Sequence, residues 1–96
     1  MRNIVLTKQY IKDLEKLRLD KKFNEDELDA VIEMLANDVK LASKYKDHGL
    51  KGKLKGFRDC HIKSDLVLLY YKTDSNELRI ITLVRIGSHS QVIPGF

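Results

Sequence analysis

Two β-rich runs joined by a short turn constrain the fold of this chain most strongly. Residues 66–73, LVLLYYKT, are almost continuously apolar, which is typical of a central strand buried on both faces. The turn DSN follows, and residues 77–86, ELRIITLVRI, alternate well enough for a further strand. The run LKGFRDCHI at residues 54–62 precedes both across the short connection KSD. Because connections this short join antiparallel neighbours, we predict a meander of three strands.

The N-terminal half predicts one strand and two helices. NIVL at residues 3–6 is a short apolar run that suits an opening strand, and Thr7 is a suitable N-cap for the helix after it. Asn24, with Glu27 three residues later, resembles a capping box before a second helix. Apolar residues recur at helical spacing in both segments. They are Ile11, Leu14 and Leu17 in the first, and Leu28, Val31, Ile32 and Leu35 in the second.

The predicted element order is therefore β-α-α-β-β-β, an α+β fold. Two N-terminal helices should pack on one face of a small, mainly antiparallel sheet and leave the other face free for a site. Residues 37 to about 52 are predicted to be irregular, and residues 87–96 to form a short tail, since Gly87 should end the last strand. A chain of 96 residues supports one domain, which we assign to residues 1–96.

Composition indicates a globular protein of a reducing compartment. The chain is 43% hydrophobic and 33% charged, and no apolar run approaches the roughly 20 residues that span a bilayer. The N-terminal residues MRNIVLTKQY lack the apolar core of a signal peptide. A single cysteine cannot form an internal disulfide. We therefore expect a cytoplasmic protein without a membrane contact.

The charge is unevenly distributed along the chain. Residues 40–63 hold eight basic residues against two acids, whereas residues 20–38 hold seven acids against two lysines. The acids are most simply the solvent-exposed face of the second helix. The basic segment is either a solvated lysine-rich loop or the contact surface for a polyanion, and charge alone does not decide between them.

Cysteine and histidine are adjacent in RDCHIKSD, residues 58–65, but strand geometry argues against a catalytic pair. Adjacent residues of a strand point to opposite faces, so Cys60 should pack with Ile62 while His61 shares the mixed face with Asp59 and Phe57. The close ligand pairs typical of zinc sites are absent. The three histidines at 48, 61 and 89 could still converge on a metal, and that alternative stays open.

General acid–base cleavage of RNA is the third interpretation of the histidines. A base must take the 2′-hydroxyl proton, an acid must protonate the leaving 5′-oxygen, and cations must hold the phosphate. Histidine suits both proton roles because its ordinary pKa is about 6.5. His48, His61 and His89 all lie in or beside the basic, stranded half of the chain, where Arg58 and Arg85 also occur.

The order of these motifs resembles a known toxin family. KYKDHGLKG, then GFRDCHIKSD, an apolar strand ending in tyrosine, and RIGSHS together resemble the YafQ-like branch of the RelE/ParE toxin superfamily over about residues 41–92. The resemblance implies a type II toxin that cleaves messenger RNA in the ribosomal A site without a metal or other cofactor. It implies as partners a cognate antitoxin and the mRNA and ribosomal RNA, with operator DNA bound only through the toxin–antitoxin complex.

Carried onto this chain, the family's catalytic positions fall on His48, His61, Asp65 and His89, with Arg85 stabilising the scissile phosphate. We expect His89 to be the general acid, His48 or His61 the base, and Asp65 to orient an imidazole. The residues expected to hold the RNA backbone are Lys51, Lys53, Lys55 and Arg58.

One position departs from the family pattern. Related toxins tend to place a phenylalanine four residues after the last histidine, where this chain has Ile93, and Phe96 is the nearest aromatic substitute. Two other functions are compatible with the same fold: a gyrase-directed, ParE-like toxin that is not a nuclease, and a plain RNA-binding protein. The histidines and Asp65 favour the nuclease, because a gyrase poison needs no titrating groups.

Overall fold

A five-stranded sheet is the framework of residues 1–93, which are the part of the chain that the computed structural model describes. The strands are β1 (Asn3–Leu6), β2 (His48–Gly49), β3 (Arg58–Lys63), β4 (Leu66–Asp74) and β5 (Arg79–Gly87). The helices are α1 (Lys8–Arg18), α2 (Glu25–Ala36) and α3 (His89–Val92), with 3₁₀ turns at Ser43–Tyr45 and Gly52–Leu54. Of the helices described in residues 1–93, none is long and apolar enough to cross a membrane.

Local capping positions both N-terminal helices, as the sequence predicts. Thr7 precedes α1, and its hydroxyl oxygen accepts a hydrogen bond from the Tyr10 amide at 3.0 Å. Asn24 precedes α2, and its side-chain oxygen accepts from the Glu27 amide at 3.4 Å. Each cap satisfies a backbone donor that the first turn of a helix leaves without an intrahelical partner.

The predicted meander is confirmed, and the sheet has one strand more than predicted at one edge. Strands β3, β4 and β5 pair antiparallel in sequence order, and β1 pairs parallel with β5. The segment expected to be irregular contributes the two-residue strand β2, which pairs with β3 and gives the sheet order β1-β5-β4-β3-β2. A strand of two residues is too short for a hydrophobic pattern, so only its pairing with β3 defines it.

Apolar residues cover both faces of the sheet. On one face, α1 and α2 pack over the main core, which includes Leu28, Leu35, Cys60 and Tyr70. On the other face, Val67 and Leu69 form a second cluster with Val92 and Ile93, against which the loop residues Leu50, Leu54 and Phe57 pack. This face is therefore only partly free: α3 and the loop cover part of it. The candidate site occupies the remainder.

A buried arginine ties the start of the chain to the end of α2. Arg2 is 6% exposed, and its Nε lies 2.8 Å from Asp38 Oδ1 while its Nη1 lies 2.8 Å from Asp74 Oδ1. The Arg2 amide also donates to the Ala36 carbonyl at 2.8 Å. Hydrogen bonds from Lys72 and Arg2 hold the pKa of Asp38 well below its usual range. This network fixes the entry into β1 at the end of the molecule away from the histidines.

Candidate active site

The short strand β2 places His48 directly opposite Asp59 of β3. His48 Nδ1 lies 2.6 Å from the Lys46 carbonyl oxygen and 3.3 Å from Asp59 Oδ1. A carbonyl oxygen only accepts, so this short contact requires the proton of a neutral His48 to sit on Nδ1. The remaining ring nitrogen, Nε2, then carries the lone pair and is the atom that could accept a proton from a substrate.

The imidazole rings of His61 and His89 lie close together, tilted by 41° to each other. His61 lies two residues after Asp59 on the same face of β3, and its ring centroid is 6.3 Å from that of His89. His89 is the first residue of α3, a helix where the sequence predicts only an irregular tail. Ser88 and Gln91 form a reciprocal capping box around this short helix, which holds His89 in place.

Asp59 is a buried carboxylate among the three histidines, and it was not predicted as a site residue from the sequence. Its side chain is 1% exposed, and neither carboxylate oxygen has a hydrogen-bond partner among residues 1–93. Burial raises the pKa of Asp59, and the charges of His48, His61 and His89 oppose that rise. The sequence feature that could have identified Asp59 as a site residue is an acidic side chain within a predicted strand, on the same face as His61.

Asp65 contacts the backbone of α3 in this structure. Its Oδ1 accepts a hydrogen bond from the His89 amide at 3.3 Å, and the side chain is exposed. The contact positions the helix that carries His89 and does not involve an imidazole nitrogen. Asp65 thus lies beside His89 and contacts its main chain.

Arg85 links α3 to α1 from the end of β5. Its Nε and Nη2 lie 3.1 and 3.0 Å from the two carboxylate oxygens of Asp13, and its Nη1 donates to the Gln91 carbonyl at 3.0 Å. Although burial raises the pKa of Asp13, hydrogen bonds from Arg85, Gln9 and the Ile86 amide lower it overall. The structure therefore gives Arg85 a partner 72 residues away that sequence spacing could not reveal.

The lysines predicted from the sequence to hold RNA project from a loop beside the histidines. Leu50, Leu54 and Phe57 anchor this loop in the second apolar cluster, and the lysine side chains between them are exposed. Gly52 and Gly56, with φ values of +66° and +96°, make the turns that this anchoring requires. The exposed lysines are Lys51, Lys53 and Lys55.

Arg58 is not brought together with the histidines. Strand alternation puts it on the face of Cys60, where its Nε lies 3.3 Å from both Asp47 Oδ1 and the Tyr70 hydroxyl oxygen. The Tyr70 hydroxyl in turn donates to Asp47 at 2.5 Å. This network braces the chain one residue before His48. Strand alternation places Arg58 and Cys60 on one face of β3 and His61 on the opposite face. The expected grouping of Arg58 with the RNA-binding lysines does not account for this alternation.

Cys60 packs in the main core, as alternation predicts. It is fully buried beneath the helices, and burial raises the pKa of its thiol to about 12. No group of three or more histidine, cysteine, aspartate or glutamate side chains within residues 1–93 is arranged to hold a metal ion. Ile93 is fully buried in the second apolar cluster, while Phe96 lies outside the described residues.

The comparison with known proteins identifies the family. The model of the bacterial YafQ toxin of type II toxin–antitoxin systems matches residues 2–94. The chain belongs to the YafQ toxin family. A YafQ of Escherichia coli strain K12, named an mRNA interferase toxin, is 34% identical over 90 residues, which are 93% of this chain and 92% of that protein.

Solved structures of two bacterial toxins share the fold. The copper-bound structure of a mutant toxin from Helicobacter pylori has a TM-score of 0.87 at 40% identity and covers 96% of this chain and 99% of that one. The toxin chain in the E. coli DinJ–YafQ complex has a TM-score of 0.82 at 29% identity, covering 97% of this chain and 99% of the other. The α+β architecture with two N-terminal helices is therefore that of the family.

Proposed function

We propose that this chain is an mRNA interferase: a ribosome-dependent endoribonuclease toxin that cleaves messenger RNA and thereby inhibits translation. The observation that carries the proposal is the convergence of His48, His61 and His89, from three different elements, around the buried carboxylate of Asp59. A lysine-rich loop adjoins them and supplies charge for a polyanionic substrate. The name of the E. coli relative agrees with this activity.

Each histidine has a chemical role in the proposed reaction. His48 Nε2 removes the 2′-hydroxyl proton, because its Nδ1 is committed to the Lys46 carbonyl. The 2′-oxygen then attacks the adjacent phosphorus, and the bond to the 5′-oxygen breaks. His89, protonated beforehand, donates a proton to that leaving oxygen. His61, facing His89, supports the negative charge that develops on the phosphate.

Asp59 and Arg85 support this proton transfer without taking part in bond breaking. Burial raises the pKa of Asp59 and the charges of the three histidines oppose that rise, so an ionised Asp59 and a protonated imidazole attract each other. Arg85 holds α3 through the Gln91 carbonyl, and two of its five guanidinium N–H groups are not used by its contacts within residues 1–93. We assign those two donors to the scissile phosphate. No metal ion takes part in the proposed steps.

A cognate antitoxin is the protein partner that we propose. The E. coli relative has been solved in complex with DinJ, and this chain aligns with almost the whole of that toxin. By analogy, the antitoxin neutralises this chain in the cytoplasm, and the complex, but not the toxin alone, binds operator DNA.

Mapping of RNA ends in a translation extract tests the proposed function. The chain is added to an extract that translates a reporter mRNA, and new 5′ ends are located by primer extension. We expect new ends with the parent protein and none with His89→Gln, because glutamine cannot supply the proton. Ser90→Ala, an exposed neighbour on α3, is the matched control and should cleave like the parent.

Three results would each contradict a part of the proposal. Blocked translation without new 5′ ends would indicate a gyrase-directed or RNA-binding protein of the same fold. Cleavage by His89→Gln at the parental rate would remove the acid role. Cleavage of the same mRNA without ribosomes would overturn the ribosome dependence alone.

A further inference from the structure

A cleft lined by basic side chains adjoins His61 and is separate from the lysine loop, which carries Lys51, Lys53 and Lys55. It lies between the 3₁₀ turn Ser43–Tyr45 and the end of β3, and it has a volume of about 470 Å³. Its charged and titratable lining consists of Lys44, Tyr45, Lys46, His61, Lys63 and the single acid Glu27. The function proposed above assigns no role to this cleft.

The cleft carries a net positive charge, and neighbouring side chains hold some of its lysine ammonium groups in place. Lys63 Nζ lies 3.6 Å from Glu27 Oε2, so that pair is close to neutral. Lys44 Nζ lies 5.1 Å from the centroid of the Tyr45 ring, a cation–π contact that holds the ammonium group against the turn. Lys44 and Lys46 therefore supply the positive charge that remains available to a ligand.

The same turn connects the cleft to the candidate base. Lys46 has a left-handed backbone, with φ of 49° and ψ of 40°, a conformation that is strained for a residue with a side chain. This conformation ends the 3₁₀ turn, and the Lys46 carbonyl accepts the hydrogen bond from His48 Nδ1. One residue thus contributes its side chain to the cleft and its backbone to the site.

The position of the cleft along β3 suggests the path of a substrate. The lysine loop joins β3 at Phe57, Asp59 and His61 occupy its middle, and the cleft lies against His61 to Ser64 at its end. An RNA strand whose scissile phosphate lies beside His61 would have the loop on one side and the cleft on the other. A basic cleft at that place matches a phosphate of the RNA backbone.

We propose that the cleft is a subsite for single-stranded RNA, in which Lys44 and Lys46 bind a backbone phosphate next to the one that is cleaved. The proposal rests on the proposed function and deepens it. Glu27 limits the affinity of the subsite, because it neutralises Lys63. Occupation of the cleft fixes the register of the RNA relative to His61.

Binding is measured by fluorescence anisotropy of a short labelled single-stranded RNA with the cleavage-deficient His89→Gln protein. In that background, Lys44→Gln with Lys46→Gln should weaken binding about tenfold. The slope of log Kd against log salt should fall by about 0.7 for each phosphate that the variant no longer neutralises. Lys8→Gln with Lys12→Gln, two exposed lysines of α1, is the matched control and should leave both quantities unchanged.

The acid of the cleft offers a variant that should gain affinity. Glu27→Gln frees Lys63 and should tighten RNA binding about two- to threefold, whereas Glu33→Gln, exposed on the same helix, should not. Both variants should melt within a few degrees of the parent, because each changed side chain is exposed or partly exposed. A gain of affinity cannot arise from misfolding, so this variant separates binding from stability.

A kinetic experiment separates failure of the subsite from failure of the proposed function. In ribosomes programmed with mRNA, the Lys44/Lys46 variant of the active protein should raise KM about tenfold and leave kcat nearly unchanged. If the parent cleaves and this variant has the parental KM, the subsite is refuted and the nuclease stands. If the parent produces no cleavage, the proposed function fails. Unchanged RNA affinity with weakened binding of an oligoglutamate peptide would reassign the cleft to an acidic protein segment.

Discussion

Replacing Asp59 with asparagine should make the protein more stable and less active. The carboxylate is buried without a hydrogen-bond partner in residues 1–93, and an unsatisfied buried polar group costs about 1–3 kcal/mol, or more when it is charged. Asparagine keeps the shape and removes the charge. We expect the free energy of unfolding to rise by about 1 kcal/mol at about pH 8, and Tm by about 4–8 °C for a domain of this size.

The effect should depend on pH with a definite sign. Because the folded-state pKa of Asp59 is raised, the parent protein loses folding stability as pH rises from the unfolded-state pKa, about 3.9, through the folded-state pKa. Below about pH 3, roughly one unit under the unfolded-state pKa, the carboxyl is mostly protonated in both states, and the two proteins should have similar stability. The difference should be largest once His48, His61 and His89 are neutral, since their positive charges favour the ionised carboxylate.

Urea denaturation followed by far-ultraviolet circular dichroism measures this difference at about pH 8, 6 and 3. Asp65→Asn, the same change at an exposed position, is the control for stability and should alter it by less than about 0.5 kcal/mol. The same Asp59 variant should cleave RNA at least about tenfold more slowly, because it no longer stabilises an imidazolium. A variant less stable than the parent at about pH 8, or one with full activity, would refute the reasoning.

Two further substitutions test the structure away from the reacting groups. Arg2→Ala removes the contacts to Asp38 and Asp74. Since both acids are partly exposed, we expect the free energy of unfolding, measured with urea, to fall by only about 1–2 kcal/mol and cleavage to be retained. An unchanged free energy of unfolding would show that the network contributes nothing. Cys60→Ala should retain cleavage and lower the free energy of unfolding by about 1–2 kcal/mol. The thiol of the parent protein should react with a disulfide reagent only after unfolding. Rapid reaction of the folded protein would contradict the burial of Cys60.

Local patterns in the sequence determine much of the fold. Thr7 and Asn24 mark the helix starts because capping is a contact over three residues, and the apolar spacing of Leu28 to Leu35 defines the buried face of α2. The β4–β5 pairing follows from a short connection. Strand alternation alone separates Cys60 from His61. Each of these features depends on residues that are close in sequence.

The features that sequence could not give are set by contacts between distant residues. The parallel pairing of β1 with β5 and the ion pair of Asp13 with Arg85 join segments more than 70 residues apart. The burial of Asp59 depends on the strands and the loop packed around it, so a strand pattern reveals its face but not its environment. The histidines could be proposed as a group because they resemble a family pattern, whereas their spacing left metal binding open.

The parallel strand β1 also has a consequence for when the protein becomes complete. Asn3 pairs with Ile80, a residue 77 positions later in the chain, so the sheet cannot close while the chain is only partly synthesised. His89 follows the closing strand, and contacts at such long separation form late because a large loop must be ordered first. A nascent chain therefore contains the segments of both N-terminal helices before it contains all three histidines. Synthesis must pass β5 before His48, His61 and His89 can come together.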